Sequence, residues 1–355
     1  MVKSNHPSGK LGAVSRRGFL KTSAGAVLAG AAGSLALPRL TAAQDGGLVA
    51  LVHTQAAGDN GPIDSMIAAL KKLSEEKGFP IRTIYAQDSA TFPSIYQSLA
   101  DAGATVIAGT FNELAEPIKA LAPDYPNTKF IQIFGDPFEP PMPNVVTVSY
   151  DYYLGCYLSG LFGAKVSKTG KLGYIGGVSL PPLNADLNAI KAAAASVSPD
   201  ITVSGAFAGS FQDPAKGQEI ATQMYQDGVD YIQTDSAATD TGIIQAANEG
   251  EGRMVSAGSR AQFALGTGSV ISIVELDFGQ SLYNEVSKAI GPDFKGGHLA
   301  TGLGTGVIDF VLSPDFEKDG PADLVAKAKE VWPEIEKARA DIISGALKVP
   351  FNTEL

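Results

Sequence analysis

Short apolar runs in this 355-residue sequence repeatedly end in an acid, an amide or a ring. In chain order these ends carry Asp59 and Asn60, Phe111 and Asn112, Gly135 and Asp136, then Tyr150 and Asp151. Further on they carry Phe211 with Asp213, Asp235, Ser259 with Arg260, and Glu275 with Asp277. Such residues suit a flat molecule with polar edges. Rings stack on its faces, while carboxylates and amides pair with ring N–H, amino or hydroxyl groups. A plainer role competes at each position. Asp213, ahead of Pro214, and Asp136 fit helix caps, and Phe111 or Phe211 alone fits ordinary core. Their joint occurrence at matching places in two halves of the chain favours binding.

Residues for bond-making chemistry are sparse. The turn "AAGDNGPID" holds Gly58 and Gly61 but lacks the spacing of a phosphate-cradling loop. "GTGSV" and "GLGTGV" precede apolar β-rich runs and read as turns. The histidines are His6, His53 and His298, without the clustered Cys or carboxylate a zinc site needs. His53, near a strand end, suits hydrogen bonding at a cleft mouth; His298, in "GGHL", reads as a surface turn residue. No G-x-S-x-G elbow is present. We therefore expect no enzyme, no metal and no cofactor.

The elements that must position these residues alternate. "GLVALVHT", "IRTIYAQ", "ATVIAGT", "KFIQIFG" and "NVVTVSY" read as strands. The amphipathic run "PIDSMIAALKKLSEEKG" reads as a helix with Ile63, Ile67, Leu70 and Leu73 on one face and Gly78 as its stop. The pattern restarts after Tyr150 and continues to "VISIVEL". This order predicts an α/β protein of two lobes, each a mostly parallel sheet flanked by helices, with ligands beyond the carboxyl ends of the strands. Residues 44–150 form the first lobe and 151–277 the second. Part of 278–355 returns to the first, with "FGQSLYNEVSKAI" and "GVIDFVLS" as the returning helix and strand. Pro333 predicts a kink or break in the closing helix.

Residues 1–43 read as an export signal: Arg16 and Arg17, a weakly apolar stretch, then small residues before a cleavage near Ala43. The arginine pair points to the twin-arginine route and a periplasmic location. This segment holds six of the 27 basic residues and none of the 37 acidic ones, so the remainder carries a formal charge of −16. Such a surface repels nucleic acid and anionic lipid. The single cysteine, Cys156, lies in an apolar helical run and reads as core.

Three segments then resemble a known family: "ATVIAGTFNELAEPIKALAPDYPNTKFIQIFG", "YYLGCYLSGLFGAKVSKTGKLGYIGG" and "GSFQDPAKGQEIATQMYQDGVDYIQTDSAATDTGIIQAANEG". They are similar to the basic-membrane-protein or PnrA-like substrate-binding proteins of ABC importers, and the likeness spans nearly all of the chain after the signal. It implies the type I periplasmic-binding fold, a purine nucleoside, nucleobase or related heterocycle as ligand, and a membrane permease as partner, with a monomer expected. By resemblance Asp59, Phe211 and Asp235 match the family's cleft residues. Pro62 stands where a stacking Phe is usual, so the first lobe's stacking ring is either absent or replaced by Phe111. Ser259 stands where nucleoside binders tend to carry an Asp, and Glu275 or Asp277 where a basic or amide group is usual. Those departures favour a bare base or a donor-rich ligand. The alternatives are a sugar or polyol receptor of the same fold, an exported nucleosidase or hydrolase, and a sensor module.

Overall fold

The run Leu48–His53 is apolar almost throughout because it is covered on both sides: Val49 and Leu51 face one core, Ala50 and Val52 another. Strands of parallel sheets have this character, since helices flank both faces. In the computed structural model, which describes residues 47–58 and 61–355, the first sheet has the order β11-β5-β4-β3-β1-β2. Its members are β1 (Leu48–His53), β2 (Ile81–Tyr85), β3 (Ala104–Thr110), β4 (Lys129–Ile133), β5 (Val145–Tyr150) and β11 (Gly297–Thr301), all parallel. Helices α1 (Pro62–Lys77) and α8 (Phe278–Ile290) cover one face, α2 (Phe92–Asp101) and α3 (Ala115–Leu121) the other. Gly78 ends α1 in the left-handed conformation, φ 75°, which costs a residue without Cβ little.

The second sheet has the order β12-β10-β9-β8-β6-β7. It comprises β6 (Lys171–Gly176), β7 (Thr202–Phe207), β8 (Tyr231–Asp235), β9 (Met254–Ala257), β10 (Val270–Leu276) and β12 (Ile308–Leu312). Only β12 runs antiparallel to its neighbour, β10. One face packs on α4 (Tyr152–Val166), α5 (Pro181–Val197) and α10 (Ala322–Ile343), the other on α6 (Pro214–Gln226) and α7 (Asp240–Asn248). Helix α9 (Pro314–Asp319) follows β12. Helices α6 and α7 pack backbone to backbone: a Cβ at Gly242 would lie 1.7 Å from the Pro214 carbonyl oxygen. Overpacking usually costs 1–3 kcal/mol, and here the obstacle is main chain. Gly242→Ala is expected to destabilise the protein by about 3 kcal/mol, read as a lower urea midpoint; an unchanged midpoint would contradict this packing.

The chain crosses between sheets three times: from β5 into α4, from β10 into α8, and from β11 to β12. Backbone bonds knit the crossings, Asp151 N–H to Thr301 O and Asp277 N–H to Val307 O, each 2.8 Å.

Three sequence expectations need correction. The helix of "FGQSLYNEVSKAI" does return to the first lobe, against α1. The strand of "GVIDFVLS", however, is β12 and completes the second sheet. The strand that returns to the first sheet is β11, which includes His298; this residue is exposed, as expected, but sits in a strand, its ring nitrogens 2.8 Å from Thr147 Oγ1 and 3.0 Å from Ser149 Oγ. Helix α10 runs unbroken through Pro333. Trp332 packs on Phe162 and Phe310, and Lys165 pairs with Glu334 at 2.7 Å, so tertiary contacts hold the helix on both sides of the missing N–H. The export-signal reading falls on residues 1–43, outside the described residues.

Candidate functional site

Most of the sequence-selected residues described by the structure lie at the carboxyl ends of the strands in the two sheets. Asp59 and Asn60 lie outside the described residues.

On the first lobe the strand ends gather four rings. Phe111 follows β3, Phe134 follows β4, Tyr150 ends β5 and Phe278 opens α8. Phe111 meets Phe134 and Phe278 edge-on, each with centroids 6.1 Å apart; Phe134 stacks on Tyr150 at 5.8 Å, and Tyr150 meets Phe278 at 5.3 Å. All four are half-buried. Phe111 and Phe134 have φ of 57° and 54°, uncommon for bulky residues and typical of ligand-holding places where the surroundings impose the conformation. The surroundings here are bonds from Phe111 N–H to Ile133 O and from the Gln132 side-chain amide to Phe111 O. The Tyr150 hydroxyl is 2.7 Å from Ser281 Oγ, and burial pushes this phenol well up. Asn112 donates to Asp136 Oδ2 at 2.7 Å and accepts from Asp136 N–H at 3.2 Å. This reciprocal pair ties the two turns together and uses much of the bonding capacity of both groups. Asp151 sits at the first crossing, half-buried; burial raises its carboxyl pKa, and the nearby His298 works against that rise.

On the second lobe Phe211 and Asp235 converge. The Phe211 ring lies over Gly177: a Cβ there would stand 2.2 Å from the ring. Gly177 N–H in turn donates to Asp235 O at 2.9 Å. The turn carrying Phe211 is anchored by Asp213 N–H to Thr239 Oγ1, 2.9 Å, and by the Thr239 hydroxyl to Ser210 O, 3.2 Å. Asp213 itself caps α6, accepting from Lys216 N–H at 3.0 Å. Asp235 is half-buried, and its carboxyl is pushed up to about 7 by burial first, then by Asp240, against a bond from Asp186. Asp240 is buried but well supplied with donors: Thr234, Ser236 and Gln262.

Other selected residues have local partners. Glu275 is gripped bidentately by Arg260, Nε to Oε1 and Nη2 to Oε2 both 2.7 Å, so it is not the unpaired acid that its sequence neighbourhood implies. Asp277 caps α8, accepting from Gln280 N–H at 2.8 Å. Ser259 precedes a short 3₁₀ segment, where Gln262 Oε1 accepts from the Gly258 and Ser259 N–H groups at 2.9 and 3.1 Å. His53 is buried, its Nδ1 2.7 Å from Gln55 O.

Sequence reasoning missed Phe134, Phe278 and Asp186. Asp186 had a signal: it shares the buried stripe of α5 with Leu183, Leu187 and Ile190, where an acid is out of place. Among the described residues no three His, Cys, Asp or Glu side chains group to hold a metal ion, and no helix is long and apolar enough to cross a membrane.

Two mostly parallel sheets joined by three crossings are the architecture of solute-binding receptors of the type I periplasmic-binding class. A solute-binding protein of an ABC transporter system from Aeropyrum pernix K1 shares it, with a TM-score of 0.71 at 19% identity over 87% of this chain and 94% of that one. The chain belongs to a particular family of such receptors, the PnrA-like substrate-binding proteins of ABC transporters, whose model matches residues 48–352. It is thus a binding protein and not an enzyme. Basic membrane protein A2 of Borrelia garinii subsp. bavariensis is 31% identical over 82% of this chain and 84% of its own length. The ABC transporter nucleoside-binding protein BmpA of Lactococcus lactis subsp. cremoris is 27% identical over 79% and 81%. A purine-binding protein of Brucella abortus is 26% identical over 86% and 85%.

Proposed function

We propose that this receptor captures a purine nucleoside, nucleobase or closely related heterocycle outside the cytoplasm and presents it to a membrane permease. The observation that carries the reading is the Phe211 ring laid over Gly177 beside Asp235. One side offers a face for stacking and the other a carboxylate for ring N–H or amino donors. The ring cluster of Phe111, Phe134, Tyr150 and Phe278 supplies the apolar wall of the other lobe. Relatives named as nucleoside-binding and purine-binding proteins support the same ligand class. Tyr150, Asp151 and Asp277 stand at the crossings, so closure by hinge motion carries them with the ligand. Closure needs contacts from both lobes, because a ligand shifts the equilibrium only by its differential affinity. The paired arginines, Arg16 and Arg17, fit twin-arginine export to the periplasm with cleavage near Ala43, and the receptor is expected to be monomeric.

Thermal-shift and calorimetric titrations with guanosine, adenine and ribose test this. Guanosine or adenine should raise the melting temperature by several degrees, and ribose should leave it unmoved. Stabilisation by ribose alone would replace the purine reading with a sugar receptor.

A further inference from the structure

Beneath Asp235, in the interior of the second lobe, lies a second acid. Asp186 on α5 is 2% exposed, and its carboxyl lies against that of Asp235, close enough for each to act on the other's proton. The geometry follows from the strand pleat. Tyr231, Gln233 and Asp235 alternate onto one face of β8, and Tyr231 packs there among residues of α4 and α5. Gly176 stands opposite Asp235 in the neighbouring strand. The space a side chain at Gly176 would take is filled by the rings of Phe207 and Tyr174, 2.8 and 3.1 Å from an added Cβ. The acid pair therefore has an aromatic wall. The Tyr174 hydroxyl, fully buried and near both acids, has no hydrogen-bond partner among the described residues.

We propose that Asp186 is a positioning residue of the site proposed above: it donates a hydrogen bond to Asp235 from below and so presents Asp235 to the ligand as an acceptor. The inference rests on that site reading and deepens it by naming the ligand edge selected, one bearing N–H or amino donors. Two carboxylates in contact within a low-dielectric interior do not both ionise. Burial and the neighbouring Asp235 raise Asp186 well above the carboxylate range, so it holds the shared proton at neutral pH, while Asp235 ionises at about 7. The other titratable groups facing the pair are Cys156 and Tyr152 on α4, Tyr174 on β6 and Asp240 on α7. The Cys156 thiol lies beside Asp186, and the Tyr152 hydroxyl donates to Val274 O at 2.8 Å. Neither phenol nor thiol is ionised near pH 7, because burial pushes all three up.

The test uses guanosine, which carries N1–H and an amino group on one edge, titrated calorimetrically from about pH 5.5 to 8.5. The wild type and Asp186→Asn, Asp186→Leu and Asp235→Asn are compared. The Asp235 carboxyl carbon is followed by NMR in the ligand-free proteins. Wild-type affinity is expected to fall about tenfold per pH unit below about 7, as Asp235 takes up a proton. Asp186→Asn keeps a donor, so its midpoint stays. Asp186→Leu removes the donor, so the midpoint rises by about one unit in both measurements and affinity at pH 7 falls about fivefold, approaching tenfold at lower pH. An unmoved midpoint in Asp186→Leu, with Asp235→Asn still losing affinity, overturns the inference alone. Unchanged guanosine affinity in Asp235→Asn, or no guanosine binding by the wild type, overturns the site reading and the inference with it.

Discussion

Phe211→Ala is expected to weaken guanosine binding by about 10- to 100-fold while barely moving the unfolding transition. Stacking of a base on an aromatic side chain is worth about 1–3 kcal/mol, and each 1.4 kcal/mol is a factor of ten in affinity. The ring is half-buried on the segment between β7 and α6, so its loss removes little core. Gly177→Ala supplies an independent check. The new methyl would stand 2.2 Å from the Phe211 ring, and a side chain on an exposed turn can swing away from it. Phe211 would remain in the sequence but leave its place, and affinity should fall as far as in Phe211→Ala. Calorimetry of both variants, with circular dichroism melts as the folding control, measures this. Full affinity in either variant would remove the ring from the site.

The second large effect concerns pH and the empty protein. Asp235, Asp186 and Asp240 all have carboxyls raised by burial in the folded state. A raised carboxyl binds its proton more tightly when folded than when unfolded, so folding stability increases as pH falls. For Asp235 the window runs from about 7 down to the ordinary aspartate value of 3.8. Within it each extra proton held by the folded state contributes about 1.4 kcal/mol per pH unit. The ligand-free receptor should therefore melt higher at about pH 5.5 than at pH 8, whereas guanosine affinity should run the other way. The net negative charge also favours lower pH, so the informative quantity is the difference between wild type and Asp235→Asn. Calorimetric melts showing the same pH slope for both would detach Asp235 from the effect. The lowered carboxyls, Asp323 and Glu334, pair on the exterior with Lys168 and Lys165; their contribution is lost only in more acid solution.

Much of the architecture was legible because parallel strands buried on both faces leave unbroken apolar runs, as in Leu48–His53, and because amphipathic helices separate them. The places of Phe211 and Asp235 in the second lobe were legible from the same strand pattern, since Asp235 ends β8 and Phe211 lies four residues beyond β7. The failures share a cause as well, which is dependence on distant partners. Strand β11 is short, carries Gly297 and His298, and is half open to solvent at the sheet edge; nothing local distinguishes it from a turn. Pro333 stays helical because Trp332 and Glu334 are held by other elements. Glu275 is neutralised by Arg260, fifteen residues earlier in sequence, a pairing that no local pattern shows. Phe278 carries no local mark of its place: Asp277 beside it caps the helix that brings Phe278 to the other rings.

The three crossings also bear on synthesis. One short stretch, from Gly297 to Leu312, supplies the last strand of both sheets. A nascent chain leaving the ribosome therefore exposes an unfilled edge on β5 and another on β10 until nearly all of it has emerged. Neither half can mature as a contiguous unit ahead of the other, and a gene fragment ending at Tyr150 would encode an unfinished lobe.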